Sequence, residues 1–303
     1  MNTEQPDNLL LKTPKKDTVP VARLRSQFSR AVRVASGMPG FRQVRRRIKK
    51  YIDSEITFRL SQVAELQPYS ESSEQDIFIV GHPKSGTTWF QQLVAGAVYG
   101  VDVEFAPFSL IRDLVPGHLQ RYYKRYGTPT FFKSHDLPQQ RQRRVIYLVR
   151  DGRDVMVSYY HHLTATTETE TDFMDVVQSK VRLWPYKWHE HVEAWLANPF
   201  DAQMLMIKYE DLQRDPVKEL NRFCRFAGYK RRDSFLQQVV TKSSFEKMRR
   251  KEATHGVSNP NWQGDSSFMR RGQVGSHKDE MSPEVLSRFL KDAEATLGKC
   301  GYL

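Results

Sequence analysis

The sequence has few of the residues that secreted, metal-binding and membrane-spanning proteins require. Only two of its 303 residues are cysteines, Cys224 and Cys300, and they lack the spacing of metal ligands. No run of about 18 apolar residues is present, which argues against a membrane-spanning helix. The first residues also lack the apolar core of a secretory signal. We therefore expect a cytoplasmic protein without a disulfide framework.

Acidic residues are scarce at the start of the chain. Residues 1–50 contain 13 lysines and arginines but only 3 acidic residues, so they carry +10 of the formal net charge of +12. The rest of the chain is nearly neutral. The high net charge therefore does not indicate a uniformly basic surface.

We interpret residues 1–66 as a basic, partly helical N-terminal arm. Two stretches, 21–35 and 41–52, have apolar residues at helical spacing and basic residues on their other faces. Such helices suit an anionic membrane surface, and we predict peripheral membrane contact through residues 20–56. The alternative is that the apolar stripes pack on the catalytic domain, residues 67–303, while the charges face water.

Beyond residue 67, short apolar runs alternate with helical patterns. Strands are predicted at 76–81, 129–135, 144–150 and 204–212, and helices at 87–99, from about 153 and at 216–226. Nearly continuous apolar strands joined by helices are typical of a parallel sheet covered on both faces. We therefore predict an α/β fold with a central, mostly parallel sheet, helices on both faces and a P-loop-like phosphate loop. Ligands of such sheets bind beyond the carboxyl ends of the strands.

The stretch "HPKSGTT", residues 82–88, lies between a predicted strand and a helix start. Its backbone N–H groups and Gly86 can cradle an anion, with Lys84 as a nearby charge. An ordinary strand–turn–helix connection with a Ser or Thr N-cap would have a similar sequence. Gly81 and Gly86 have the separation found in nucleotide triphosphatases, but Thr87 stands where those enzymes have lysine. The loop therefore indicates a nucleotide phosphate held without a required metal.

A second strand, turn and helix follows in "RRVIYLVRDGRDVMVSYYHH", residues 143–162. Arg150 at the strand end and Ser158 within the helix are placed to hold a second phosphate. The alternative is a structural network in which the arginines and aspartates of 150–154 pair with one another.

Between these two units, "FFKSH" places Lys133 and His135 on the same side of a strand end. A histidine whose pKa lies near neutrality can deprotonate an attacking hydroxyl group. A lone histidine is more often structural, but the position between two predicted phosphate sites favours a catalytic role.

Together these motifs resemble the cytosolic sulfotransferase family, whose members use 3′-phosphoadenosine 5′-phosphosulfate (PAPS). The family's 5′-phosphosulfate loop, P-K-S-G-T-T-W, matches residues 83–89 without a change, and its 3′-phosphate motif matches Arg150 and Ser158. Four further family segments match Lys133 to His135, Tyr209 to Asp211, Ser243 to Phe245 and Phe268 to Gly275. After Gly275 the chain departs from the family's usual G-D-W-K continuation, because Ser276, His277 and Lys278 follow.

The resemblance implies a role for each matched residue. His135 is expected to be the general base, while Lys84 and Lys133 stabilise charge on the transferring group. Arg150, Ser158, Arg270 and Arg271 are expected to grip the 3′-phosphate, and Trp89, Tyr209, Ser243 and Phe245 to lie near the adenine. The whole set expected to contact PAPS is Lys84, Ser85, Gly86, Thr87, Thr88, Trp89, Arg150, Ser158, Tyr209, Ser243, Phe245, Phe268, Met269, Arg270, Arg271 and Gly272. No metal is expected.

We therefore predict transfer of the sulfuryl group of PAPS to a hydroxyl of a small-molecule or lipid-like acceptor, with no nucleic-acid partner. The alternatives are a P-loop kinase-like phosphotransferase, which would need magnesium and ATP, and a non-catalytic membrane-binding protein. Acceptor loops are expected at 101–127, 161–183 and 251–267, where aromatic residues such as Phe108 and Tyr123 favour an apolar hydroxyl compound.

Two other features are interpreted as structural. The stretch "WHEHVEAW", which contains Trp188 and Trp195, is predicted to be an aromatic-rich packing helix, because its histidines lack the spacing of a zinc site. The charge run from Lys247 to Lys251 is predicted to be a solvated face.

Overall fold

The computed structural model describes residues 65–118, 120–166, 171–178, 186–255 and 268–303, together with positions 55, 58, 59 and 62. The chain divides into two units, Met1–Ala64 and Glu65–Leu303. The amphipathic stretches predicted at 21–35 and 41–52 lie outside the described residues. The interpretation of residues 1–66 as a separate arm therefore stays a prediction.

The second unit contains short strands and longer helices in alternation. The strands are, in chain order, β1 (Gln67–Pro68), β2 (Ile77–Val80), β3 (Tyr122–Tyr123), β4 (Phe131–Ser134), β5 (Arg144–Val149) and β6 (Gln203–Lys208). The helices are α1 (Thr87–Tyr99), α2 (Phe108–Leu114), α3 (Gly152–Thr166), α4 (Phe173–Val177), α5 (Trp188–Ala197), α6 (Tyr209–Arg214), α7 (Pro216–Ala227), α8 (Asp233–Lys242), α9 (Phe245–His255), α10 (His277–Glu280) and α11 (Pro283–Lys299). None of the helices in the described part of the chain is long and apolar enough to cross a membrane.

Four strands form a parallel sheet in the order β4-β2-β5-β6, and the pair β1 and β3 forms a separate antiparallel ribbon. In the main sheet, Ile77 lies opposite Phe131 on one side and Arg144 on the other. Because the four strands run in the same direction, their carboxyl ends meet at one edge of the sheet. The segments that follow these strands therefore begin side by side, and the predicted α/β fold is confirmed.

Alternate side chains of β2 enter two separate hydrophobic cores. Phe78 and Val80 pack on the face covered by α3, α5 and α11, whereas Ile77 and Ile79 pack on the face covered by α1, α7 and α8. Burial on both faces explains why the strand sequences are apolar at nearly every position. It also fixes the strand register, because a shift by one residue would exchange the two sets of side chains.

The prediction of a strand at 204–212 is wrong for its last four residues. The strand β6 ends at Lys208, and α6 begins at Tyr209. Glu210 and Asp211 lie in the first turn of this helix, where their negative charges interact favourably with the unpaired N–H groups.

The prediction of a solvated face at 247–251 is wrong for Lys251. Lys247 does reach the surface and forms an ion pair with Glu104, with 2.6 Å between nitrogen and oxygen. Lys251, however, is buried, and its Nζ donates to Gln92 Oε1 at 3.1 Å and to the carbonyl of Val103 at 2.9 Å. Burial lowers the pKa of Lys251 to about 8.

Candidate active site

A cleft of about 830 Å³ opens where the carboxyl ends of the sheet strands meet. Its volume falls within the range typical of small-molecule sites, about 300–1,000 Å³. The cleft brings together most of the residues predicted from the sequence: Lys84, Gly86, Thr87, Thr88, Trp89, Lys133, His135, Arg150, Ser158, Tyr209, Phe245, Phe268, Met269, Arg270, Arg271 and Gly272.

Two predicted residues, Ser85 and Ser243, are buried and are not among the residues that line the cleft. The hydroxyl of Ser243 donates to the carbonyl of Val239 at 2.9 Å. Its own carbonyl accepts a hydrogen bond from Trp89 Nε1 at 3.0 Å. Ser243 thus fixes the orientation of Trp89, which does line the cleft.

The loop between β2 and α1 turns through a left-handed residue directly before the helix. Gly86, which precedes α1, has a φ of 90°, a left-handed conformation that favours glycine. A Cβ atom at this position would lie 2.6 Å from Cδ2 of Tyr209, so the ring of Tyr209 packs directly on the loop. Trp89 meets the same ring edge-on, with 6.0 Å between ring centroids. A larger residue than glycine would disturb both the loop and this aromatic wall.

Two lysines bring positive charge into the cleft. Lys84 Nζ lies 4.3 Å from the centroid of the Phe268 ring, and Lys133 Nζ donates to Thr88 Oγ1 at 2.8 Å. Burial, together with the charges of Arg150 and Lys133, lowers the pKa of Lys84 to about 7. Burial and the charge of Arg112 lower the pKa of Lys133 to about 8. Cations gathered so closely favour an anionic ligand.

His135 directly follows β4 and lies at the same edge of the sheet. Its Nδ1 is 2.6 Å from the carbonyl oxygen of Gly81. Because a carbonyl oxygen only accepts, Nδ1 carries the proton, and Nε2 is the nitrogen that can take up another. Burial, with the charges of Lys133 and His118, holds the pKa of His135 well below its ordinary value. The ring is therefore neutral at pH 7, as a general base must be.

The sequence analysis missed His118, which also lines the cleft. Residues 116–118 run beside β4: the N–H of Lys133 donates to the carbonyl of Pro116 at 2.8 Å, and the N–H of His118 donates to the carbonyl of Lys133 at 3.0 Å. This pairing brings the ring of His118 to 5.0 Å from that of His135. No local sequence pattern predicts the contact, because it depends on pairing between two distant segments.

The aromatic helix α5 is buried as predicted, but it also holds the backbone around His135. His191 Nε2 donates to the carbonyl of His135 at 3.2 Å, and Trp195 Nε1 donates to the carbonyl of Asp136 at 3.0 Å. The two donors are four residues apart and therefore lie on one face of the helix. The hydroxyl of Tyr147 donates to His191 Nδ1 at 3.1 Å, which fixes the orientation of the imidazole.

The sequence left open whether Arg150 lines a phosphate site or pairs with nearby aspartates, and in the structure it lines the cleft and also pairs with an aspartate. Arg153 forms an ion pair with Asp151 at 2.7 Å, and Arg150 Nη2 lies 3.5 Å from Asp154, so a structural arginine–aspartate network exists. Arg150 nevertheless lines the cleft, with its guanidinium carbon 4.4 Å from the centroid of the Tyr209 ring.

The donor groups of this cleft fit a phosphate-bearing nucleotide. Arg150 lines the cleft, and its buried Nε has no hydrogen-bond partner among the described residues. Buried polar groups are normally paired, and phosphate oxygens are strong acceptors for arginine.

The segment 268–276 closes one side of the cleft and is tied down by acidic side chains. Its first two backbone N–H groups donate to the carboxylate of Glu252 at 2.6 and 2.9 Å. Asp154 accepts from the N–H of Gly275 at 2.7 Å and from the N–H and Nδ1 of His277 at 3.0 and 2.8 Å. Residues 276–278, where the sequence departs from the family pattern, are thus anchored to α3 through His277.

Comparisons with known proteins identify relatives of this chain. The sulfotransferase domain family matches residues 74–301. Sulfotransferase 1C2 of Homo sapiens is 29% identical over 244 residues, which cover 72% of this chain and 82% of that protein. Sulfotransferase 1E1 of Bos taurus is 29% identical over 243 residues, again covering 72% of this chain and 82% of the relative.

Solved structures show the same fold. Retinol dehydratase in complex with androsterone and the inactive cofactor PAP has a TM-score of 0.60 and 22% identity, covering 75% of this chain and 82% of the other. Mouse sulfotransferase SULT7A1 complexed with PAP has a TM-score of 0.58 and 23% identity, covering 76% of this chain and 88% of the other. Because the family match spans more than half of the chain, the chain belongs to the sulfotransferase family.

Proposed function

We propose that this enzyme transfers the sulfuryl group of PAPS to a hydroxyl of a small-molecule or lipid-like acceptor, with His135 as the general base. One observation carries the proposal: neutral His135 and the two lysines Lys84 and Lys133 line the same cleft. A base and a positively charged phosphate site, side by side, are what sulfuryl transfer from a nucleotide requires.

PAPS, when bound, supplies the sulfuryl group. The loop around Gly86, with Lys84, would hold its 5′-phosphosulfate. Arg150 would bind the 3′-phosphate with Ser158 and the two arginines of the 268–276 segment. Support for this assignment comes from the buried Nε of Arg150, which has no hydrogen-bond partner among the described residues.

His135 would accept the proton of the acceptor hydroxyl at Nε2, while its Nδ1–H keeps the ring fixed on the carbonyl of Gly81. The hydroxyl oxygen forms its bond to sulfur as the bond from sulfur to the 5′-phosphate oxygen breaks. Lys84 and Lys133 offset the negative charge that grows on the leaving phosphate. That no metal is required stays a prediction.

The acceptor would bind at the end of the cleft formed by α2 with Gly117, His118 and Gln120. Phe108 and His118 line this end. Tyr123, in contrast, is buried against Phe132 at 4.9 Å between ring centroids, so the expectation that it lines the acceptor pocket is wrong. Retinol dehydratase has been solved with androsterone and with retinol, which supports a small-molecule acceptor here.

The test is transfer of labelled sulfate from PAPS to pooled hydroxyl compounds by the purified protein. His135→Ala is expected to lower the transfer rate by about 10²–10⁴-fold, the usual cost of removing a general base. The affinity for PAP, measured by calorimetry, should remain nearly unchanged. His189→Ala is a matched control, because His189 lies on α5 and is not among the residues lining the cleft.

Two results would contradict the proposal. Turnover of His135→Ala within about tenfold of the unsubstituted enzyme would remove the histidine from the mechanism. Phosphate transfer from ATP that depends on magnesium, without transfer from PAPS, would favour the kinase-like alternative.

A further inference from the structure

We propose that Glu280 is a positioning residue that sets nucleotide specificity. In this role it holds Arg270 and Arg271 in the cleft, so that the enzyme prefers nucleotides with a 3′-phosphate. The inference rests on the proposed function, which assigns both arginines to that phosphate.

Glu280 joins three parts of the active site through one carboxylate. Its Oε1 accepts hydrogen bonds from Arg270 Nη1 at 2.7 Å and from Arg271 Nη1 at 2.9 Å. Its Oε2 accepts from His161 Nε2 at 2.6 Å. Glu280 itself ends the short helix α10, whereas the arginines belong to the 268–276 segment and His161 belongs to α3.

The two arginines need such a partner because of their charges. They are consecutive in the sequence and both line a cleft that already contains Lys84 and Arg150. Their mutual repulsion would drive the guanidinium groups apart and into solvent. Burial of the Glu280 carboxyl disfavours its ionised form, but the hydrogen bonds from His161 and Arg270 prevail and hold its pKa below the ordinary value. The carboxylate is therefore charged at neutral pH and offsets the repulsion.

Glu280 supports the arginines without occupying all of their donors. A guanidinium group has five N–H donors in a fixed plane, and each arginine directs Nη1 at Glu280. The remaining donors can bind a phosphate at the same time. Because Glu280 orients the groups before the nucleotide arrives, less conformational freedom is lost on binding.

The backbone of the segment has separate anchors, so the role of Glu280 is confined to side chains. Glu252 holds the start of the segment, and Asp154 holds the N–H of Gly275 near its end. Loss of the Glu280 carboxylate should therefore free the two guanidinium groups while the segment stays in place.

The experiment compares the binding of PAP and of 5′-AMP, which lacks the 3′-phosphate, to the full-length protein by calorimetry. Glu280→Ala is expected to weaken PAP binding by about tenfold, equivalent to about 1.4 kcal/mol, and to change 5′-AMP binding by less than about twofold. Asp279→Ala is the matched control, because it removes a neighbouring, exposed carboxylate from the same helix. This control should leave both affinities unchanged.

A second comparison tests whether Glu280 acts through the arginines. In a chain that already carries Arg270→Ala and Arg271→Ala, the additional change Glu280→Ala should have no further effect on PAP affinity. PAP binding that is unchanged or tighter in Glu280→Ala would overturn the inference, as would an equal loss for both nucleotides. If the unsubstituted protein does not prefer PAP over 5′-AMP, the proposed function fails together with the inference. If it does prefer PAP and Glu280→Ala keeps that preference, the inference alone fails.

Discussion

At pH 7, Lys84 is close to half-protonated in the nucleotide-free protein, because burial and the neighbouring Arg150 and Lys133 lower its pKa to about 7. Lys133, with a pKa of about 8, loses its proton next as the pH rises. A bound anion favours the protonated form of both ammonium groups and raises their pKa values. Nucleotide binding and proton uptake are therefore linked at this site.

We predict that PAP binding at pH 7.5 takes up protons and that its affinity falls as the pH rises from 7 to 9. The direction of both changes follows from Lys84 and Lys133. These lysines must be charged to bind the phosphates, but they become neutral over this pH range in the free protein. The phosphates themselves are almost fully ionised above pH 7, since their second pKa is about 6. Calorimetry in buffers with different ionisation enthalpies measures the number of protons directly.

Lys84→Arg should reduce this proton uptake, because arginine stays charged throughout the range. The control is Lys187→Arg, at a lysine that pairs with Asp292 and is not among the residues lining the cleft. An affinity that does not change with pH, or uptake that is equal in Lys84→Arg and the unsubstituted protein, would contradict the prediction.

At the scale of elements, the helix α5 both packs on the sheet and holds the segment that carries His135, the proposed base. The side chains of His191 and Trp195 donate to the carbonyls of His135 and Asp136. In the proposed mechanism the imidazole of His135 approaches the acceptor hydroxyl within hydrogen-bond distance, so small shifts of this segment are expected to slow transfer.

Trp195→Phe is expected to lower kcat by about tenfold while PAP affinity stays the same, because it removes the hydrogen bond from Trp195 to the carbonyl of Asp136 and loosens the segment that holds His135. Trp188→Phe is the matched control. It is the same substitution on the same helix, and the Nε1 of buried Trp188 has no hydrogen-bond partner among the described residues. Steady-state kinetics, with denaturant unfolding of each variant, would separate an effect on catalysis from an effect on stability.

Both substitutions should lower the free energy of unfolding, since each removes part of a buried aromatic ring. Only Trp195→Phe should lower kcat beyond that common effect. If Trp188→Phe reduces kcat as strongly, α5 acts on catalysis only through general stability, and the prediction is wrong.

At the scale of the whole molecule, the ribbon of β1 and β3 marks where the catalytic domain starts. Gln67 pairs with Tyr123 in this ribbon, and the hydroxyl of Tyr69 donates to the carbonyl of Lys133 at 3.0 Å. Residues 67–69 thus support the strand that carries Lys133, which lines the cleft. A shortened chain that keeps the domain intact must begin before residue 67.

We predict that a chain of residues 65–303 unfolds cooperatively and binds PAP as tightly as the full-length protein. The full-length protein should float with anionic vesicles at low salt, whereas the shortened chain should not. The first 50 residues carry +10 of the net charge, and each basic residue near an anionic surface contributes about 1 kcal/mol. High salt should abolish flotation by screening these charges.

The alternative is that the arm packs on the catalytic domain. In that case the full-length protein would stay in the soluble fraction at low salt, or the shortened chain would melt at a clearly lower temperature. Either result would contradict the membrane prediction and assign the amphipathic stretches to the fold.

The sequence by itself determined the four strands of the parallel sheet, the helices that follow three of them and most of the residues that line the cleft. The strands were predictable because burial on both faces requires apolar residues at nearly every position. Lys84, His135 and Arg150 could be placed together because each lies in the segment that follows a strand, and parallel strands bring their carboxyl ends together. The boundary at Tyr209 was missed, because the helix follows the strand directly, with no glycine or proline between them to mark the change.

Only the tertiary structure decided which polar groups meet. The burial of Lys251, the approach of His118 to His135 and the pairing of Glu280 with two arginines all join segments brought together by folding. Hydrophobic patterns have a period set by the helix or strand, and they are therefore visible in the sequence. A hydrogen bond between two segments has no such period, because it depends on how the packed elements place individual donors and acceptors.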